Sequence, residues 1–300
     1  SEMCIRDSMR GDGDKITAGI KNSADSWNEV SGFSHLSLGK KIQEDGIDIL
    51  FDLVGHTANN RLFTFAQRPS PVQVTWAGYV GTTGMKAMNW IFADKFQILE
   101  NHENFYVEKV YRLPNDYICY APPQYAPECG PLPAKKNKFI SFCSYNNPAK
   151  VNDPLLETWG KILQKVTKSK LFLKYRAFDD AYNQTRVLDC FQKYGIEKER
   201  VIFWGNSTHE DTLKAYTQMD IALDTHPYSG GLTTCEALWM GVPVITKPGD
   251  TFASRHSLTH LANVGLTETV AETWEDYINC LLYTSPSPRD QRGSGIPGCG

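Results

Sequence analysis

The sequence predicts an α/β protein built from two doubly wound, Rossmann-like domains. Two observations carry that prediction. From Lys138 onward, short apolar strands alternate with amphipathic helices over brief connections, the rhythm of a parallel sheet covered on both faces. Ahead of that half, Tyr120-Ala-Pro-Pro-Gln-Tyr-Ala-Pro-Glu-Cys-Gly-Pro-Leu-Pro133 holds five prolines and cannot be regular structure, so it reads as an interdomain linker.

In the second half, strands are expected at 139–143, 171–173, 201–204, 221–224 and 243–246. Helices are expected at 154–166, 182–194, 213–219, 233–240 and 252–264. The first half is less regular, with buried strands predicted at 49–54, 72–76 and 90–92 between glycine-rich turns. The domain boundaries follow: a first, partial domain over 9–119, a linker over 120–137 and a second domain over 138–281. Residues 1–8 and 282–300 lack periodicity, resemble translated cloning or adapter sequence, and are set aside from the fold. On this reading the chain is truncated at both ends.

Composition narrows the function. A chain of 300 residues with 41% hydrophobic and 12% aromatic content can bury real cores. A formal charge of −3 with interspersed signs offers no basic stripe for nucleic acid. There is no membrane-length apolar run and no secretory leader pattern, so neither a membrane nor a nucleic-acid partner is expected and the default compartment is cytoplasmic. The eight cysteines form no Cys-x-x-Cys pair, which argues against zinc clusters and disulfide frameworks and for reduced thiols such as Cys143 and Cys190 acting as small core residues. His256 and His260 have a metal-compatible spacing, but Ser257 stands where a zinc protease needs Glu, so both read as helix-surface histidines. Asp12-Gly-Asp14 matches a metal-clamp pattern only superficially, in a polar head expected to be disordered. No metal and no cofactor is expected.

The most informative stretch is His226-Pro-Tyr-Ser-Gly-Gly-Leu-Thr-Thr-Cys-Glu-Ala-Leu-Trp-Met-Gly. A strand runs into a loop where Gly230 and Gly231 admit close backbone approach, and the N–H groups of the helix that follows attract anions. Glu236, one turn in, is placed to accept two hydrogen bonds from a sugar diol. Phosphate on the helix end and a diol on the acid suggest a nucleotide-sugar site. The plainer alternative is a strand stop with Thr233 as helix cap.

These residues, with Asp250-Thr-Phe-Ala-Ser-Arg255, resemble the nucleotide-binding end of the O-linked N-acetylglucosaminyltransferase family, whose relatives include SPINDLY-type proteins. Asp52-Leu-Val-Gly-His-Thr57, Arg68-Pro-Ser-Pro-Val-Gln-Val-Thr-Trp-Ala-Gly-Tyr-Val-Gly-Thr-Thr-Gly84, Ala93-Asp94 and Arg112-Leu-Pro-Asn115 resemble the family's other half in the right order. The likeness runs from about residue 42 to about residue 277. It implies a GT-B-like fold, two doubly wound domains facing a cleft, in the bacterial type without an intervening domain. It also implies an inverting, metal-independent transfer of N-acetylglucosamine from UDP-GlcNAc to Ser or Thr of a protein or peptide acceptor, with tetratricopeptide repeats upstream.

Residue by residue, the resemblance makes Lys150 in Asn146-Asn-Pro-Ala-Lys150 the phosphate-binding cation, with Asn147 beside it. Glu236 becomes the ribose acid, Thr233 and Thr234 phosphate donors, and Ser207 and His209 neighbours of the base. Thr212 stands where relatives often stack a histidine, which keeps a SPINDLY-like GDP-fucose donor open. Without turnover, the fragment would be a nucleotide-sugar-binding module. In the first domain His56 can act as base or orient the acceptor, with Asp52, Thr57, Gly81 and Thr82 on the acceptor or sugar side. Residues 9–281 are expected to bind UDP weakly through 138–281 and to transfer little or no sugar without the native flanks.

Overall fold

The computed structural model describes residues 2–7 and 13–280. Within these residues there are two compact units, one up to Phe92 with His102–Tyr111, and the other Ala93–Asn101 with the chain from Arg112 onward.

The first unit begins with β1 (Cys4–Asp7), α1 (Lys15–Ser23), β2 (Ser26–Glu29) and α2 (His35–Glu44). It continues through β3 (Ile49–Asp52), α3 (Leu62–Phe65), β4 (Val72–Thr75), β5 (Trp90–Ala93) and β6 (Lys109–Arg112). Strands β1 and β2 pair in parallel, and β3-β4-β5-β6 make a four-stranded sheet with β3 at its edge. Helix α2 starts where the Ser34 hydroxyl accepts the Ser37 N–H, and its Leu38 and Ile42, four apart, bury against Val30. A second small core joins Leu62, Phe65 and Met88.

Two expectations for this half need correction. The head set aside as irregular contains β1, and Asp14 of the supposed metal-clamp pattern is the N-cap of α1, accepting the Thr17 N–H at 2.8 Å; Asp12 lies outside the described residues. The 49–54 strand is not buried, since Ile49, Phe51 and Leu53 are exposed on an edge strand that no other described strand borders on its outer side.

The second unit runs α4 (Pro133–Asn137), β7 (Ile140–Ser144), α5 (Asp153–Lys165), β8 (Ser169–Lys174), α6 (Ala181–Gln192) and β9 (Val201–Trp204). It then runs α7 (His209–Tyr216), β10 (Ile221–Leu223), α8 (Leu232–Trp239), β11 (Val244–Ile245), α9 (His256–Asn263) and α10 (Trp274–Cys280). The sheet order is β11-β10-β7-β8-β9, every pairing parallel. Along β7 the side chains alternate between faces. Phe142 packs with Leu155, Trp159, Ile162 and Phe191, and Cys143 with Leu213, Tyr216, Ala237 and Leu261. Helices on both faces bury the sheet, as predicted. Strand order reverses between β7 and β10, so the crevice at their carboxyl ends is the ligand position of a doubly wound sheet.

The boundary between units falls earlier than the prolines suggested. Asp94 accepts the Tyr117 N–H at 3.0 Å and also holds the Thr259 hydroxyl on α9, which ties 93–101 and 112–119 to the second unit. Within the predicted linker, residues 133–137 are helical because Pro133 sits at the first helical turn, where its missing N–H costs nothing. The 282–300 tail lies outside the described residues. Among the described residues, no helix is long and apolar enough to cross a membrane.

Candidate nucleotide-sugar site

The loops after β7 and β10 meet at the switch point. Asn147 caps the short turn Pro148–Lys150, its carboxamide oxygen accepting the Ala149 N–H at 3.0 Å. That turn delivers Lys150, whose ammonium donates to the Ser229 carbonyl at 3.0 Å and lies 3.8 Å from the centre of the Tyr228 ring. Burial holds the Lys150 pKa below the ordinary lysine value against the pull of nearby Asp224. A partly desolvated cation whose contacts are a carbonyl dipole and a ring face gains from an arriving anion.

Opposite it, Asp224 ends the β10 run and is buried. Its carboxylate accepts the Gly230 N–H at 2.7 Å, the Thr225 N–H at 2.8 Å and the Thr246 hydroxyl at 2.6 Å. Burial nonetheless raises its pKa above the usual carboxylate value. Asp224 thereby folds the loop back over the strand end. Gly230 is required there: a Cβ would lie 2.7 Å from both the Thr233 and Thr234 hydroxyls. A Cβ at Gly231 would meet nothing, so that position opens outward. Gly231 is the N-cap of α8 and no side chain caps the helix, which leaves its first N–H groups for an anion. Thr233 is therefore not the cap; its hydroxyl donates to Asn146 at 3.3 Å.

Thr234 departs from its predicted place. Its hydroxyl turns inward, donating to the Gly230 carbonyl and sharing a 2.8 Å hydrogen bond with Ser257, because the second residue of the pair faces α9. Glu236 is buried and its pKa is raised by that burial, against hydrogen bonding from His209. His209 Nε2 lies 2.7 Å from Glu236 Oε1, so the acid stands in a His209–Glu236 pair that engages one of its oxygens. His209 opens α7, four residues earlier than predicted; Thr208 caps that helix by accepting the Asp211 N–H. The Thr208-His-Glu-Asp211 pattern is a capping signal that sequence reading could have used.

Ser207 stands before α7, and its hydroxyl receives the Lys174 ammonium at 2.6 Å and meets the Thr212 hydroxyl at 3.1 Å. Lys174 was missed. It is buried at the carboxyl end of β8, and burial lowers its pKa. The only sequence signal was a lysine closing the apolar run Leu171-Phe-Leu173. Asp179, also missed, accepts the Asn206 N–H at 3.0 Å and pins the same loop.

His256 and His260 are not surface histidines, because α9 packs its histidine face inward. His256 Nδ1 is 2.6 Å from the Tyr117 hydroxyl, and burial beside His260 pushes its pKa down to about 3. For His260, burial opposes charge, but hydrogen bonds to Asp116, at 2.6 Å, and Cys235 overcome it and push the pKa up to about 10. Cys4, Cys129, Cys143, Cys190, Cys235 and Cys280 are free thiols.

The first-unit candidates form their own cluster. Asp52 is buried and spends its carboxylate on the Val54 and Gly55 N–H groups and the Thr75 hydroxyl, so it shapes the turn instead of facing a ligand. Gly55 has φ +55°, and a Cβ there would sit 2.2 Å from the Tyr79 Cβ. The turn carries exposed His56, whose Nε2–H donates to the Thr83 carbonyl at 2.8 Å, so that Nδ1 is the ring nitrogen outside this bond. Thr57 donates to the Val54 carbonyl at 2.9 Å. Glu108, unforeseen and buried, accepts the Thr82 hydroxyl at 2.6 Å and the Thr83 N–H at 2.7 Å, fixing the turn that begins at Gly81.

Parallel sheets of this kind, with a phosphate-ready switch point, define a GT-B-like glycosyltransferase, and comparison supports that class. The profile of glycosyl transferase family 41 matches residues 4–121 and 132–285, and the chain belongs to that family. The match is wider than the likeness read from motifs and begins inside the set-aside head. A probable UDP-N-acetylglucosamine–peptide N-acetylglucosaminyltransferase SPINDLY of Solanum lycopersicum is 40% identical over 258 residues, 85% of this chain and 28% of the relative. A solved variant of the Thermobaculum terrenum O-GlcNAc transferase superposes with TM-score 0.89 at 34% identity over 94% of this chain and 53% of that one. The sucrose-phosphate synthase of Thermosynechococcus elongatus shares the fold alone, with TM-score 0.56 at 14% identity. The chain thus spans about a quarter of the curated relative's length and about half of the solved structure's.

Proposed function

We propose that the parent protein moves N-acetylglucosamine from UDP-GlcNAc to Ser or Thr hydroxyls of protein or peptide acceptors, with inversion and without a metal. The observation that carries this reading is Lys150 held against a carbonyl and a ring face beside the uncapped start of α8. The acceptor oxygen forms a bond to the anomeric carbon as that carbon's bond to the diphosphate oxygen breaks. The leaving electron pair goes to the diphosphate, where Lys150, Asn147 and the N–H groups after Gly231 offset the charge. The acceptor proton passes to a base, for which His56 Nδ1 is the candidate. His209 and Glu236 hold the ribose, and Ser207 faces the base. We extend the reading to tetratricopeptide repeats upstream in the full-length protein and to action in the cytoplasm.

A GDP-fucose donor is the second reading. It draws on Thr212, whose hydroxyl bonds Ser207 and supplies no ring to stack on a base. Thermal-shift screening separates the two: stabilisation by UDP is expected, and stabilisation by GDP with none by UDP overturns the first donor. In the full-length enzyme, Lys150→Ala should cut turnover by roughly a hundredfold or more. A change below about threefold at saturating donor removes Lys150 from this role. EDTA should leave turnover intact; loss restored by manganese contradicts metal independence.

A further inference from the structure

The proline-rich stretch does more than connect. The Tyr125 hydroxyl lies 2.7 Å from His209 Nδ1, and the two rings meet edge-on at 5.7 Å. His209 Nε2 in turn lies 2.7 Å from Glu236 Oε1. A carboxylate can only accept, so the proton of this second bond sits on Nε2, and the tyrosine hydroxyl serves the remaining ring nitrogen. The chain Tyr125–His209–Glu236 therefore spans three segments: the proline-rich stretch, the start of α7 and the middle of α8. The stretch is anchored at both sides of Tyr125. Tyr120 packs on the Trp239 ring at 6.4 Å, the Cys129 thiol donates to the Trp239 carbonyl at 3.3 Å, and Pro123 accepts the Ala126 N–H at 2.9 Å to close the turn that carries Tyr125. Proline restricts that turn before any ligand arrives.

We propose that Tyr125 is a positioning residue of the donor site: its hydroxyl fixes the His209 ring so that His209 takes Oε1 of Glu236 and leaves Oε2 for the ribose diol of a nucleoside diphosphate. The inference rests on the donor-site reading above, and it adds a residue that the motifs did not single out. Tyr125 touches no donor atom; it acts through His209. Removing the hydroxyl frees the imidazole to rotate, and the loss should fall on ribose recognition alone.

The test is calorimetric titration of the chain and its Tyr125→Phe variant with UDP, with GDP, and with the 2′,3′-dideoxy form of whichever binds. The parent chain should prefer the ribose form by at least about tenfold, as expected for hydrogen bonds to a charged acid. Tyr125→Phe should weaken the ribose form roughly threefold to tenfold, the scale of one hydrogen bond, and leave the dideoxy form unchanged. Equal weakening of both forms, or of neither, overturns the proposal. A parent chain indifferent to the ribose hydroxyls overturns it by removing the ribose from Glu236, and one that binds neither diphosphate overturns the donor reading beneath it. Circular dichroism melts of the variant check that the exposed substitution leaves the fold intact.

Discussion

The two units hold their polar groups for opposite purposes. In the second, Lys150 rests on a carbonyl and a ring, and α8 begins without a side-chain cap, so charge-seeking groups converge with part of their bonding capacity free. In the first, the most attractive acid is spent: Asp52 is buried under two N–H groups and a hydroxyl, and Thr82 and Thr83 are bound to Glu108. A ligand site and a well-satisfied turn can carry the same residue types. What separates them is whether a group's partners are neutral and replaceable or already complete.

The cores differ in the same direction, and mutation should expose it. The second unit buries Trp159 completely among Leu155, Ile162 and Tyr277, whereas the small core at Val30, Leu38 and Ile42 has few neighbours. Trp159→Ala should lower stability by about 3–5 kcal/mol. Ile42→Ala, in a site able to collapse, should fall near the low end of about 2–5 kcal/mol. Chemical denaturation followed by domain-resolved hydrogen exchange checks both. Equal losses would break the contrast between the cores.

A pH series sharpens it next. His260 has its folded pKa raised to about 10, so its contribution is fully present below the ordinary histidine value and is lost as pH rises toward 10. His256 has its folded pKa lowered to about 3, so the unfolded chain takes up a proton first and stability falls as pH drops below the ordinary histidine value. Both sit in α9, so melting of the second unit should peak near neutrality and drop by several degrees on either side. A melting temperature flat from neutral to strongly alkaline pH would refute the charged His260–Asp116 pair. The smallest effect belongs to the first unit: Glu108→Gln leaves the turn donors poorly matched and should cost roughly 1–3 kcal/mol. An unchanged exchange rate at Thr83 would show that Glu108 does not hold the turn.

Sequence legibility tracked the same divide. The alternation from β7 to β11 was readable because each strand is a short apolar run with an amphipathic helix behind it. Gly230 and Glu236 stood out by their place in the loop and helix after a strand end, whereas Lys150 was singled out by the family resemblance. What escaped was decided by packing. No local pattern says that Thr234 turns toward Ser257, that His260 meets an acid 144 positions away, or that Lys174 reaches Ser207. In the first unit, β3 reads as an interior strand from composition, and only the sheet order shows that it is an edge.

The central claim is that the donor diphosphate binds at the switch point of the second unit's sheet, on Lys150 and the start of α8. Hydrogen exchange of the chain with and without saturating UDP tests it most directly. The account predicts slowed exchange at 147–151 and 229–236, lost in Lys150→Ala, with 52–57 and 81–84 unchanged. Protection confined to 52–57 and 81–84, or protection at 229–236 that survives Lys150→Ala undiminished, would contradict it.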